Sequence, residues 1–86
     1  MPGWTLEGLK SALTGAGIDP DKWTIAYSKA DLAEANEVYG LFDEGGFWTV
    51  AYGERGKWNE LARFRQQSEA IRYFWWRMTD APVPFE

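Results

Sequence analysis

Apolar positions recur at helical spacing near the start of the chain. In residues 5–14, TLEGLKSALT, Leu6, Leu9, Ala12 and Leu13 share one face, and Glu7, Lys10 and Ser11 share the other. Thr5 is placed to cap this helix, Trp4 and Leu9 stand at the spacing of a hydrophobic staple, and Gly15 ends it. The turn GIDPD follows. The period then changes to two. In WTIAYS, residues 23–28, Trp23, Ile25 and Tyr27 alternate with Thr24, Ala26 and Ser28, the pattern of a half-buried strand. KADLAEAN is a connector with room for one helical turn, capped by Asp31.

EVYGLF and FWTVAYG flank DEGG and predict a hairpin. Its register stays open. A loop of two or four residues puts Tyr39 and Leu41 on the face of Trp48, Val50 and Tyr52. A three-residue loop puts Val38, Gly40 and Phe42 there instead, because a slip of one residue reverses the faces. In either register the second face of the sheet carries aromatic side chains. ERGK is a second tight turn, WNELARF a further strand, and a helix runs from about Gln66 to Met78, stopped by Asp80, Pro82 and Pro84. Residues 81–86 form an extended tail. The expected fold is α+β and a single domain over residues 1–86: an N-terminal helix, an antiparallel β-meander of three to four strands, and a C-terminal helix packed on the sheet.

The C-terminal helix contains YFWWRM, with two adjacent tryptophans. At ~100° per residue, Ala70, Ile71, Phe74, Trp75 and Met78 occupy one arc of about 140°. Trp76 falls almost opposite the centre of that arc, with Arg72 on the same side and Tyr73 at its edge. Trp75 is therefore the core residue and Trp76 the outward one. Packing of Trp76 against Pro82, Pro84 or Phe85 of the tail is the alternative to a surface role.

Composition narrows the function. Six tryptophans and an aromatic fraction of 17% exceed what one small core encloses. Tryptophan, tyrosine and arginine are the residues most enriched at binding hot spots. Thirteen acidic against nine basic residues give a net charge of −4, which argues against nucleic acid and anionic membranes and favours a basic partner. With no histidine and no cysteine, the usual general base, thiol nucleophile and Cys/His zinc site are missing. The remaining carboxylates, such as Asp19 with Asp21 or Glu34 with Glu37, read as solvated turns, and no spacing implies a cofactor. The sequence thus points to a binding protein and not to an enzyme. The lack of a signal-like start, of a long apolar stretch and of cysteine suggests a cytoplasmic setting.

An asparagine-led strand (Asn36), a glycine hairpin (Gly45, Gly46), the run Trp48, Val50, Tyr52, Glu54, Arg55, Gly56, and a helix opening with Glu69 and Ala70 before Tyr73 and Phe74 resemble small bacterial immunity proteins. These are the antidotes of polymorphic or contact-dependent secreted toxins. The resemblance spans about residues 36–75. It implies a non-catalytic chain that neutralises a cognate toxin domain by direct binding. The candidate partner-binding residues are Phe42, Asp43, Glu44 and Phe47 at the hairpin, Glu54 and Arg55 at the second turn, and Arg72, Tyr73 and Trp76 on the helix. Asp43 and Glu44 are expected on an exposed tip, dispensable for folding. An adaptor subunit or homodimeric interaction module is the competing reading. An acidic nucleic-acid mimic is a poorer one, since basic residues interleave with the acids.

Overall fold

The computed structural model describes residues 5–32 and 34–80. Helix α1 spans Leu6–Gly15, and the Thr5 hydroxyl accepts a hydrogen bond from the Gly8 amide at 3.1 Å. Gly15 is its last residue, but the reversal is made by Gly17, at φ +78°. The amides of Gly17 and Ile18 reach back to the carbonyls of Thr14 and Leu13, closing the helix end and returning Ile18 to the core. The staple residue Trp4 and the tail, including the suggested cover for Trp76, lie outside the described residues.

Four strands follow: β1 (Trp23–Ile25), β2 (Val38–Glu44), β3 (Phe47–Glu54) and β4 (Lys57–Phe64). Helix α2 (Gln67–Thr79) closes the fold. The sheet order is β1-β2-β3-β4. Strands β2 to β4 form the antiparallel meander, whereas β1 joins β2 in parallel. The physical reason is the long connection: about a dozen residues allow a crossover, while an antiparallel neighbour needs only a tight turn. Strand β1 is also shorter than its alternating pattern suggested. After the Ala26 amide bonds the Leu41 carbonyl, the chain leaves the ladder, and Tyr27 is 66% exposed instead of facing the core. In the connector a short turn, Lys29–Asp31, is capped by Ser28 and not by Asp31: the Ala30 amide donates to the Ser28 hydroxyl.

Glu44 opposes Phe47, so the first hairpin has a two-residue loop. Gly45 and Gly46, at φ +65° and +94°, supply the left-handed pair that this tight turn requires. The register is thereby settled. Tyr39 and Leu41 share the helix-covered face with Val50 and Trp48. Leu6, Leu9 and Leu13 of α1 meet Ala70, Ile71, Phe74 and Trp75 of α2 over Ile25, Leu41 and Val50 to form the core.

The opposite face has its own cover. Val38, Phe42, Thr49 and Ala51 are buried there. Trp58 reaches across from β4 to Gly40 and Gly53, and Ala35 of the connector presses against Gly53. The Gly56 amide of the second hairpin donates to the Ala35 carbonyl at 2.8 Å. The connector between β1 and β2 thus crosses the face that the helices leave open. Lys29 reinforces it, pairing with Glu44 at 3.8 Å and lying 5.9 Å from the centre of the Phe42 ring.

Strand β4 carries a bulge. Val50 pairs with Ala62 and Ala51 with Glu60, leaving Leu61 as the extra residue. The bulge reverses the faces of everything after it. Phe64 therefore joins the helix side, opposite Trp48, and Arg63 joins the other side, opposite Thr49.

Candidate functional site

Trp75 is 9% exposed and Trp76 46%, so α2 has the phase read from its sequence. Trp76 and Tyr27 are the exposed large hydrophobic side chains among the described residues. Although 49 positions apart by residue number, they are the two ends of one aromatic row. Tyr27 meets Trp48 edge-on, with ring centres 5.8 Å apart. Trp48 is the cross-strand partner of Phe64. The Phe64 ring lies 5.5 Å from that of Tyr73, and the Tyr73 ring lies 5.9 Å from that of Trp76. Trp48, Phe64 and Tyr73 are half-buried. They support the row from the core side while its ends stand in solvent.

The β4 bulge makes this row possible. In a regular strand, Phe64 would face the connector side and the link between Trp48 and Tyr73 would be missing. The charged side chains around the row are mixed. Asp43 stands opposite Trp48, and Arg72 and Glu69 are exposed on the outward side of α2 beside Trp76.

The other residues expected at a partner surface are placed differently. Phe42 is 1% exposed and belongs to the core beneath the connector, so it is not an accessible contact. Asp43 and Glu44 are half-buried strand residues, since the tip itself is Gly45–Gly46. The Asp43 carboxylate accepts from the Gly46 amide at 3.2 Å and braces the turn. Glu44 accepts ion pairs from Lys29 and from Arg63, the latter at 3.5 Å, and Arg63 also donates to Glu60 at 2.9 Å. These four side chains link the connector, β2 and β4 across the second face. Phe47, half-buried, has Arg63 and Arg65 each 5.5 Å from its ring centre.

Glu54 and Arg55 are exposed at the β3–β4 turn, at the far end of the sheet from the first hairpin. Arg55 itself adopts φ +53° there, followed by Gly56 at +80°. Near this turn Tyr39 and Tyr52 pack with ring centres 4.9 Å apart, and Arg77 lies over Tyr39. Partial desolvation, then the carboxylates of Glu37 and Glu54 and the neighbouring Tyr39, push the Tyr52 phenol above its ordinary value.

The structure therefore unites Tyr73 and Trp76, flanked by Arg72, and leaves Glu54 with Arg55 and Glu44 with Phe47 on other surfaces. It adds Tyr27, Trp48 and Phe64, which the sequence did not single out. No local signal could have found them together, because the row depends on where β1 ends and on the bulge. Among the described residues no cluster of three or more Asp or Glu side chains could hold a metal ion, and no helix is long and apolar enough to cross a membrane. The chain matches no protein-family model, no curated protein and no solved structure.

Proposed function

We propose that this chain is a non-catalytic protein-binding module of the immunity type, acting in the cytoplasm on a cognate toxin domain. The observation that carries the binding reading is the aromatic row whose ends, Tyr27 and Trp76, are its exposed members. Aromatic side chains held rigidly from below and open from above lose little conformational freedom on docking, which is why they dominate hot spots. The immunity assignment is supported by the sequence resemblance over residues 36–75 and by the acidic net charge of −4, which steers a basic toxin domain toward the chain. A stable complex of this kind buries about 1,200–2,000 Å² in total.

Co-expression with the toxin domain encoded beside the chain is the direct test. Growth should be restored with that toxin and not with an unrelated one. Trp76→Ala and Tyr27→Ala should weaken protection while leaving the fold intact by circular dichroism. A folded, expressed chain that gives no protection overturns the immunity reading. Protection that survives both substitutions moves the docking surface away from the row.

A further inference from the structure

We propose that residues 27–29 form a clip over the open edge of the sheet, through which Lys29, on the connector face, holds Tyr27 in place at the end of the aromatic row on the helix face. The inference rests on the binding reading for its consequence, since it regulates that surface. The clip itself belongs to the free chain and needs no toxin.

The two anchors lie on opposite faces. Strand β1 pairs with β2 only as far as Leu41, and the last bond runs from the Ala26 amide to the Leu41 carbonyl. Among the described residues no strand lies along the outer edge of β2 beyond that point. Tyr27 turns to the helix face, where its ring meets Trp48 at 5.8 Å. Two residues on, Lys29 pairs with Glu44 at 3.8 Å and lies 5.9 Å from the centre of the Phe42 ring, both on the connector face. The chain therefore passes round the edge of β2 within about 7 Å of backbone. Ser28 makes the crossing in extended conformation, at φ −139° and ψ 142°. Its hydroxyl accepts from the Ala30 amide at 3.2 Å and fixes the turn that begins at Lys29.

Neither anchor is strong alone. Tyr27 is 66% exposed and meets Trp48 only edge-on. The Lys29 and Glu44 side chains are 53% and 41% exposed, so water and salt weaken their pair. With one residue between them, each anchor keeps the other at high effective concentration, and release of one favours release of the other. The far end of the row is held differently. Trp76 rides on α2, which is fixed by the burial of Ala70, Ile71, Phe74 and Trp75. The row thus has one end set by the core and one end set by a charge pair on the opposite side of the sheet. Salt screens that pair and should loosen Tyr27 while leaving Trp76 in place. Lys29 is a positioning residue for Tyr27, although it lies on the other face from the row.

Proton NMR of the full chain tests the clip. The Trp48 indole shifts the ring protons of Tyr27 while the two rings are in contact, and the ring of Tyr73, beside Trp76, serves as the internal reference. Raising salt to about 1 M, where the screening length falls to about 3 Å, should move the Tyr27 signals toward their random-coil position and leave those of Tyr73 unmoved. Lys29→Met should give the same displacement at low salt and remove the salt dependence. Lys29→Arg, which keeps the cation, should restore the parent spectrum. Arg63→Met removes the other partner of Glu44 and should leave Tyr27 docked. Tyr27 signals that are identical in the parent and in Lys29→Met overturn the proposal, as do parent signals indifferent to salt. A displacement that Tyr73 shares equally is a general loosening and overturns it too. A working clip in a chain that protects against no toxin sinks the immunity reading alone, and protection by a chain whose Tyr27 ignores Lys29 sinks the clip alone.

Discussion

The indole of Trp58 fills the space above Gly40: a Cβ added to Gly40 would stand 2.8 Å from Cζ3 of Trp58. Gly53 is closed from two sides, with the same ring atom at 2.9 Å and the Cα of Ala35 at 2.8 Å. The two glycines make the shallow floor that lets Trp58 and the connector seal the second face. Gly40→Ala meets a side chain, whereas Gly53→Ala meets backbone as well. Overpacking of this kind costs about 1–3 kcal/mol, and Gly53→Ala should cost the more. Urea unfolding measures both. Replacing Trp58 by leucine should relieve Gly40→Ala and leave Gly53→Ala strained. A neutral Gly53→Ala would mean that the connector does not pack on this face.

Trp75 and Trp76 separate stability from binding. Trp75→Ala opens a cavity in a small core and should cost ~3–5 kcal/mol. Trp76→Ala removes a 46% exposed ring that touches Tyr73 and should change stability by much less. Thermal melts of the two variants decide the matter, and the reverse order would show that the helix is rotated from the phase described.

Glu44 is part of the fold and not a bare tip. Glu44→Lys removes the pairs with Lys29 and Arg63 and adds a third cation between them. Each side chain is about two-fifths to one-half exposed, so solvent weakens each pair, and the total loss should be near 1 kcal/mol. In a domain of this size that lowers the melting temperature by roughly 4–8 °C. High salt should erase most of the difference. Asp43→Asn keeps an oxygen for the Gly46 amide and should melt close to the parent chain, while Asp43→Ala should lose part of the turn.

Tyr52 gives an alkaline signature. Its phenol holds its proton above the ordinary value of 10.0 because burial and the carboxylates of Glu37 and Glu54 oppose the phenolate. Above pH 10 the folded chain therefore binds this proton more tightly than the unfolded chain does. Stability must fall as pH rises from the unfolded to the folded pKa. Tyr52→Phe should flatten that fall, and Glu37→Gln with Glu54→Gln should lower the pH at which Tyr52 ionises, followed by tyrosinate absorbance. A Tyr52→Phe chain with the parent's alkaline slope would assign the loss to other groups.

Both helix phases and the two tight turns follow from local spacing along the chain. Leu6, Leu9 and Leu13 recur at helical spacing, and Ala70, Ile71, Phe74 and Trp75 do the same, so both buried stripes were legible. Gly45 with Gly46 and Arg55 with Gly56 marked the two turns, since positive φ at successive positions restricts the residues that tolerate it. The outward position of Trp76 followed from the same geometry. What these elements meet follows from how they assemble and not from their own spacing. Both faces of residues 38–42 are apolar, so only the sheet as assembled shows Phe42 buried under the connector and Leu41 under the helices. Three distant choices create the aromatic row: the end of β1 that frees Tyr27, the β4 bulge that turns Phe64 over, and the docking of α2 that brings Tyr73 to Phe64. Hydrophobic periodicity records which side of an element is buried. It carries no information about which distant element will cover it, because burial is non-directional and many partners satisfy it equally.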